Sequence, residues 1–128
     1  MSFKRPNIYI AQSPLGGRGV FAKRKIEDGE LIEICPVIVV PPHDLAKIHS
    51  SHLHDYYFLW GDDEKSSAIA LGYGSLYNHS YTPNAEYAMD FEGETLNIHA
   101  IRSIEPDEEI TFNYNGDAAD ATPVWFDK

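Results

Sequence analysis

Short alternations of apolar and polar residues, broken by Gly and Pro, run through most of this chain and predict strands rather than helices. Ile8-Tyr9-Ile10 alternates and is stopped by Ser13-Pro14-Leu15-Gly16-Gly17. After a turn over residues 25–29, Leu31-Ile32-Glu33-Ile34-Cys35 reads as a strand. Pro36 follows it, then the apolar run 37–40, which Pro41-Pro42 ends. Tyr56, Phe58 and Trp60 alternate with Tyr57 and Leu59, the pattern of a strand with both faces in use. Residues 86–90 and the alternating Leu96, Ile98 and Ala100 flank Phe91-Glu92-Gly93-Glu94, which reads as a hairpin turn. Ile110-Thr111-Phe112-Asn113-Tyr114 gives a last strand. Only the polar stretch 43–54 suggests a short helix. Many short strands with few helices make the chain mainly β. Ile26-Glu27-Asp28-Gly29-Glu30-Leu31-Ile32 echoes Ile104-Glu105-Pro106-Asp107-Glu108-Glu109-Ile110. This reads as two similar turn-to-strand entries, not a repeat architecture.

Composition narrows the classes. The 128 residues suit a single compact domain over 1–128, and a hydrophobic content of 43% suffices for one core. Ten Lys and Arg against 20 Asp and Glu give a formal net charge of −10. That balance disfavours nucleic acid and anionic membrane and favours basic partners. The single cysteine, Cys35, excludes an internal disulfide and a cysteine cluster for zinc, and reads as a small core residue. His43, His49, His52 and His54 show no convincing metal-ligand pattern, so no metal is expected. No signal peptide or continuous transmembrane run is visible, which favours an intracellular location without choosing nucleus or cytoplasm.

The chemistry concentrates in residues 71–85, where neither periodicity runs cleanly. Gly72 and Gly74 allow unusual dihedrals or close approach, and Pro83 sets a turn at Asn84. Between them stand Asn78, His79 and three phenols. Such a stretch is either a turn-rich connection with locally satisfied polar groups or one wall of a ligand pocket. Gly17-Arg18-Gly19 matches neither a dinucleotide fingerprint nor a phosphate-binding loop. It is a turn between strands, or backbone left bare for a bulky cofactor.

Four blocks in order resemble the SET-domain protein lysine methyltransferases. They are Leu15-Gly16-Gly17-Arg18-Gly19-Val20-Phe21-Ala22, Asp55-Tyr56-Tyr57-Phe58, Asn78-His79-Ser80-Tyr81-Thr82-Pro83-Asn84-Ala85 and Glu108-Glu109-Ile110-Thr111-Phe112-Asn113-Tyr114. The resemblance covers essentially the whole chain. It implies the SET fold, with small curved sheets and a threaded C-terminal segment. It also implies methyl transfer from S-adenosylmethionine to a lysine of a basic protein or histone tail. Gly17, Arg18, Gly19, Asn78 and His79 match cofactor residues, with Arg18 contributing mainly main chain. Tyr114 matches the functional tyrosine beside the transfer line. Tyr56 matches the substrate-channel tyrosine, with Tyr57 as the competing register, and Tyr87 and Phe112 match positions that influence methyl count. The family's C-terminal cysteine-rich zinc segment has no counterpart here. Trp125 or Phe126 could cover the adenine or the lysine channel in its place, or simply pack as a tail. Compact relatives also permit a homodimer.

Two other readings remain. A non-catalytic SET-like module could bind lysine-rich tails through its acidic surface and aromatic channel. A small structural β-domain would use the same aromatics for packing alone. Ordered cofactor binding separates the last from the others, and methyl incorporation separates enzyme from module. Carboxylate-driven hydrolysis is weaker, because no spaced acid–base pair stands out.

Overall fold

The computed structural model describes residues 7–123. Among these residues nine strands form two sheets: β1 (Ile8–Gln12), β2 (Arg18–Ala22), β3 (Leu31–Val40), β4 (Tyr57–Trp60), β5 (Ser66–Ala70), β6 (Asn78–His79), β7 (Ala85–Asp90), β8 (Thr95–Ala100) and β9 (Glu109–Phe112). One sheet has the order β1-β2-β9-β6, the other β4-β5-β3-β8-β7. All pairings are antiparallel except β6 with β9, which run parallel.

The turn between β1 and β2 requires its glycines. Ser13 N–H donates to Gly17 O at 2.9 Å, and Gly16 and Gly17 hold φ of 117° and 59°, where a side chain is strained. β3 is one strand across Pro36 rather than a strand and a separate run. It pairs with β8 from Leu31 to Pro36 and with β5 from Val37 to Val40. Pro36 therefore sits where the strand exchanges one neighbour for another, and a missing donor disturbs the pairing least there.

The expected helix over 43–54 is shorter. A 3-10 turn (Pro42–Asp44) runs into α1 (Leu45–His49) and stops. Ser50 and Ser51 end it by donating their hydroxyls back to Ala46 O at 2.8 Å and Ile48 O at 2.7 Å. Among the described residues no helix is long and apolar enough to cross a membrane.

The inward positions of the alternating strands fill the core, with Val20, Leu96, Ile98, Ile110 and Phe112 inaccessible to solvent. Cys35 lies among them, and burial pushes its thiol well up, away from the reactive thiolate. The two segments that echo each other in sequence are bonded to each other. Ile26 and Ile104 exchange N–H···O bonds of 2.8 Å in both directions, and both side chains are buried. The similarity thus has a structural use: two like entries lie antiparallel and bury a pair of isoleucines.

Candidate functional site

The site grows from the parallel pairing of β6 with β9, which sets Asn78 beside Thr111 and His79 beside Phe112. Asn78 Nδ2 donates to Arg18 O at 3.2 Å and to Glu109 Oε2 at 2.8 Å. Ser13 Oγ donates to the other carboxylate oxygen of Glu109 at 2.7 Å. Glu109 thereby ties the glycine turn to β6. Gly19 has no side chain because none fits: an added Cβ would collide with Glu109 Oε2 and stand 2.9 Å from Asn78 Nδ2.

His79 Nδ1 accepts the backbone N–H of Tyr114 at 3.0 Å, which assigns the proton of a neutral ring to Nε2. The imidazole also meets the rings of Tyr114 and Tyr81 edge-on, at 5.2 Å and 4.3 Å between centroids. The Tyr114 hydroxyl donates to Tyr77 O at 2.5 Å. Burial, then the nearby charge of Asp55, pushes the Tyr114 phenol well above its ordinary range, so it stays protonated at neutral pH. Tyr87 Oη donates to Tyr114 O at 3.3 Å, and burial followed by the charge of Glu64 moves that phenol up to about 12.

Two cavities meet here. One, of about 400 Å³, is lined by Tyr56, Tyr57, Phe58, Tyr87, Met89 and Tyr114 among others, with Glu64 as its one charged side chain among the described residues. The other, of about 190 Å³, is lined by Gly16, Gly17, Arg18, Asp55 and Asn78. Tyr56, Ser75, Tyr77 and Tyr114 belong to both. An apolar aromatic chamber and a polar, backbone-rich recess thus share one wall.

The sequence candidates divide accordingly. Gly17, Arg18 and Asn78 line the smaller cavity, Tyr57 and Tyr87 the larger, and Tyr56 and Tyr114 both. Tyr56 lies just before β4 rather than within it, in a turn whose N–H donates to Leu53 O at 3.0 Å. Tyr57 opens β4, and its hydroxyl pairs with His49 Nδ1 at 2.7 Å. Phe112 is fully buried behind the chamber, with its ring centroid 4.9 Å from that of Tyr87 and 5.3 Å from that of Tyr77. Gly19 and His79 act on their neighbours. Trp125 and Phe126 lie outside the described residues.

Sequence reasoning missed Glu109, Glu33 and Asn84. Asn84 is buried, donates to Glu109 O at 2.8 Å and accepts Thr111 N–H at 2.9 Å, latching the turn after β6 to β9. A carboxylate inside an apolar strand, as Glu33 is, was the available signal, since such a group needs buried partners. Among the described residues no group of three or more His, Cys, Asp or Glu is placed to hold a metal.

The family model for the SET domain matches residues 17–115, and the chain belongs to that family. Its mainly β fold of curved sheets is the SET architecture. Among relatives, the chain is 30% identical over 125 residues to an H3 lysine-37 specific histone-lysine N-methyltransferase of Schizosaccharomyces pombe, covering 96% of this chain and 79% of that protein. It is 32% identical over 119 residues to an H3 lysine-36 specific histone-lysine N-methyltransferase of Candida albicans, covering 86% of this chain but 14% of that protein. A crystal structure of a candidate histone methyltransferase of Plasmodium falciparum superposes with a TM-score of 0.69 at 34% identity, covering 87% of this chain and 95% of that one. The fold also matches a chain of a humanized mutant of the Chaetomium thermophilum Polycomb Repressive Complex 2, with a TM-score of 0.67 at 20% identity, covering 84% of this chain and 14% of that one.

Proposed function

We propose that this chain transfers a methyl group from S-adenosylmethionine to a lysine side chain of a histone-like basic protein. The observation that carries the reading is the wall common to the two cavities, formed by Tyr56, Ser75, Tyr77 and Tyr114. A donor on one side and an acceptor on the other would meet across it without mixing with bulk water.

The smaller recess suits the cofactor. Gly16 and Gly17 offer bare backbone with nothing within 4 Å of an added Cβ, and Arg18 and Asp55 bring one charge of each sign for an amino-acid group. Asn78 adds an amide held by Glu109. When bound, S-adenosylmethionine supplies an electrophilic methyl group on sulfonium, so the protein need only bind, orient and exclude water.

The larger chamber suits an alkyl amine. Tyr56, Tyr57, Phe58 and Tyr87 present aromatic surface to the methylene stem and to the cation, and Glu64 adds negative charge. The lysine must lose a proton before it attacks, since an ammonium has no lone pair. Tyr114 is not the base, because its phenol is pushed up and already donates to Tyr77 O. It fixes the geometry, and desolvation by the aromatic walls lowers the lysine's own affinity for its proton.

The histone H3 specificity of the two fungal relatives motivates histone H3 as first substrate. Incubation of the protein with isotopically labelled S-adenosylmethionine and a panel of basic proteins including H3, read by mass spectrometry, should find label on lysine. Binding of cofactor and H3 without any label would instead favour a module that reads lysine-rich tails.

A further inference from the structure

One part-buried polar connection takes no part in the chemistry above, yet it ends on the atom that Tyr114 touches. The β3–β8 register slips between Leu31 and Glu33, and a bulge of this kind re-aims side chains. Glu33 lies two positions from the buried Cys35 and is itself half-buried. Both of its carboxylate oxygens are used. Oε1 accepts the Tyr77 hydroxyl at 2.7 Å, and Oε2 accepts the Tyr73 N–H at 3.0 Å. These donors sit at the two ends of one short turn, residues 73–77, which contains the 3-10 turn Gly74–Leu76. Gly72, just before it, has φ of 62°, and an added Cβ there would collide with Glu33 Oε2.

The turn has further anchors, the first being Leu76 N–H, which donates to Tyr73 O at 2.9 Å. Ser75 Oγ donates at 3.0 Å to Tyr56 O and to Ala70 O, which anchors its middle. The Tyr77 ring is buried and packs on Phe112 at 5.3 Å. Its carbonyl is the acceptor of the Tyr114 hydroxyl. The path is therefore continuous: Glu33 to the Tyr77 hydroxyl, through one residue to the Tyr77 carbonyl, and on to the Tyr114 hydroxyl.

We propose that Glu33 is a positioning residue which clamps the 73–77 turn so that Tyr77 O orients the Tyr114 hydroxyl at the wall between the cavities. The inference rests on the methyl-transfer reading for its consequence in rate, but its structural content is independent of turnover. Glu33 lines neither cavity, so its effect must pass through the 73–77 turn, with Tyr77 as the residue that reaches Tyr114.

The test is a double-mutant cycle with a spectroscopic companion. Single-turnover methylation of histone H3, at saturating S-adenosylmethionine, is measured in the wild type, Tyr77→Phe, Tyr114→Phe and the double variant. Loss of one hydrogen bond that positions a reacting group should slow Tyr77→Phe by roughly tenfold. The same change should cost nearly nothing in the Tyr114→Phe background, because the hydroxyl it positions is already gone. A merely structural Tyr77 would give the same loss in both backgrounds, and that result overturns the proposal. The hydroxyl-proton resonance of Tyr114, identified by its disappearance in Tyr114→Phe, should shift in Tyr77→Phe. Glu33→Gln provides the same measurements should Tyr77→Phe fold poorly, because an amide cannot accept from both donors. An unmoved resonance in whichever variant is folded overturns the clamp. A normal rate in Tyr114→Phe would sink the catalytic role of that hydroxyl, while the resonance would still decide the clamp.

Discussion

Gly19 shows how a single absent side chain supports the site. Glu109 fills the space a Cβ would take, and it is held there by Ser13 Oγ and Asn78 Nδ2. Gly19→Ala must displace Glu109 Oε2 from beside Asn78 Nδ2, weakening a part-buried hydrogen bond to a charged group worth about 1.5–3 kcal/mol. We expect the variant to lose stability in denaturant titration and to bind S-adenosylmethionine more weakly in calorimetry. Wild-type values of both would show that Glu109 has room to yield. Asn78 and His79 were legible because amide, imidazole and phenols cluster in a stretch too aromatic for an ordinary surface loop, whereas Tyr114, outside that stretch, was legible only through the resemblance of its motif. Glu109 was not. It lies in an acidic run that reads as solvated, and nothing local marks which carboxylate turns inward.

At the level of elements, the two tyrosines of the Asp55-Tyr56-Tyr57-Phe58 block separate. The hydroxyl of Tyr57 is joined to His49 of α1, whereas Tyr56 precedes the strand and lines both cavities. Tyr56→Phe should therefore cost more turnover than Tyr57→Phe when each is assayed below saturating peptide. Tyr57→Phe should chiefly loosen α1, seen as faster amide exchange over residues 45–49. The opposite ranking of rates would move the channel to Tyr57. Strands with clean alternation, such as β8 with buried Leu96, Ile98 and Ala100, could be read from the sequence directly. β6 could not, for two residues carry no period, and its parallel partner β9 lies some thirty positions away. The helix was over-extended for a local reason, since the serine hydroxyls that end it compete for its carbonyls.

Across the whole molecule, the two sheets enclose three phenols, Tyr77, Tyr87 and Tyr114, all with raised pKa. The cause is foremost burial in each case. A folded-state pKa above the unfolded value of about 10 means the unfolded chain releases these protons first. Their contribution to stability is complete below about pH 10 and is lost as pH rises beyond it, by up to about 1.4 kcal/mol per pH unit for each phenol. Urea titrations across this range should show a decline that Tyr77→Phe makes shallower relative to its own value at neutral pH. A flat profile would contradict the burial of ionisable phenols at the site.

In the proposed function, methyl transfer takes place at the wall where Tyr114 separates a polar recess from an aromatic chamber. The decisive experiment is single-turnover methylation of histone H3 with labelled S-adenosylmethionine, comparing wild type with Tyr114→Phe on preparations matched for thermal stability and cofactor affinity. Losing a positioned hydroxyl at the reacting centre should cost roughly 2–4 kcal/mol, about 30- to 1000-fold in rate, with binding retained. A Tyr114→Phe variant that methylates at the wild-type rate would show that transfer does not depend on this hydroxyl.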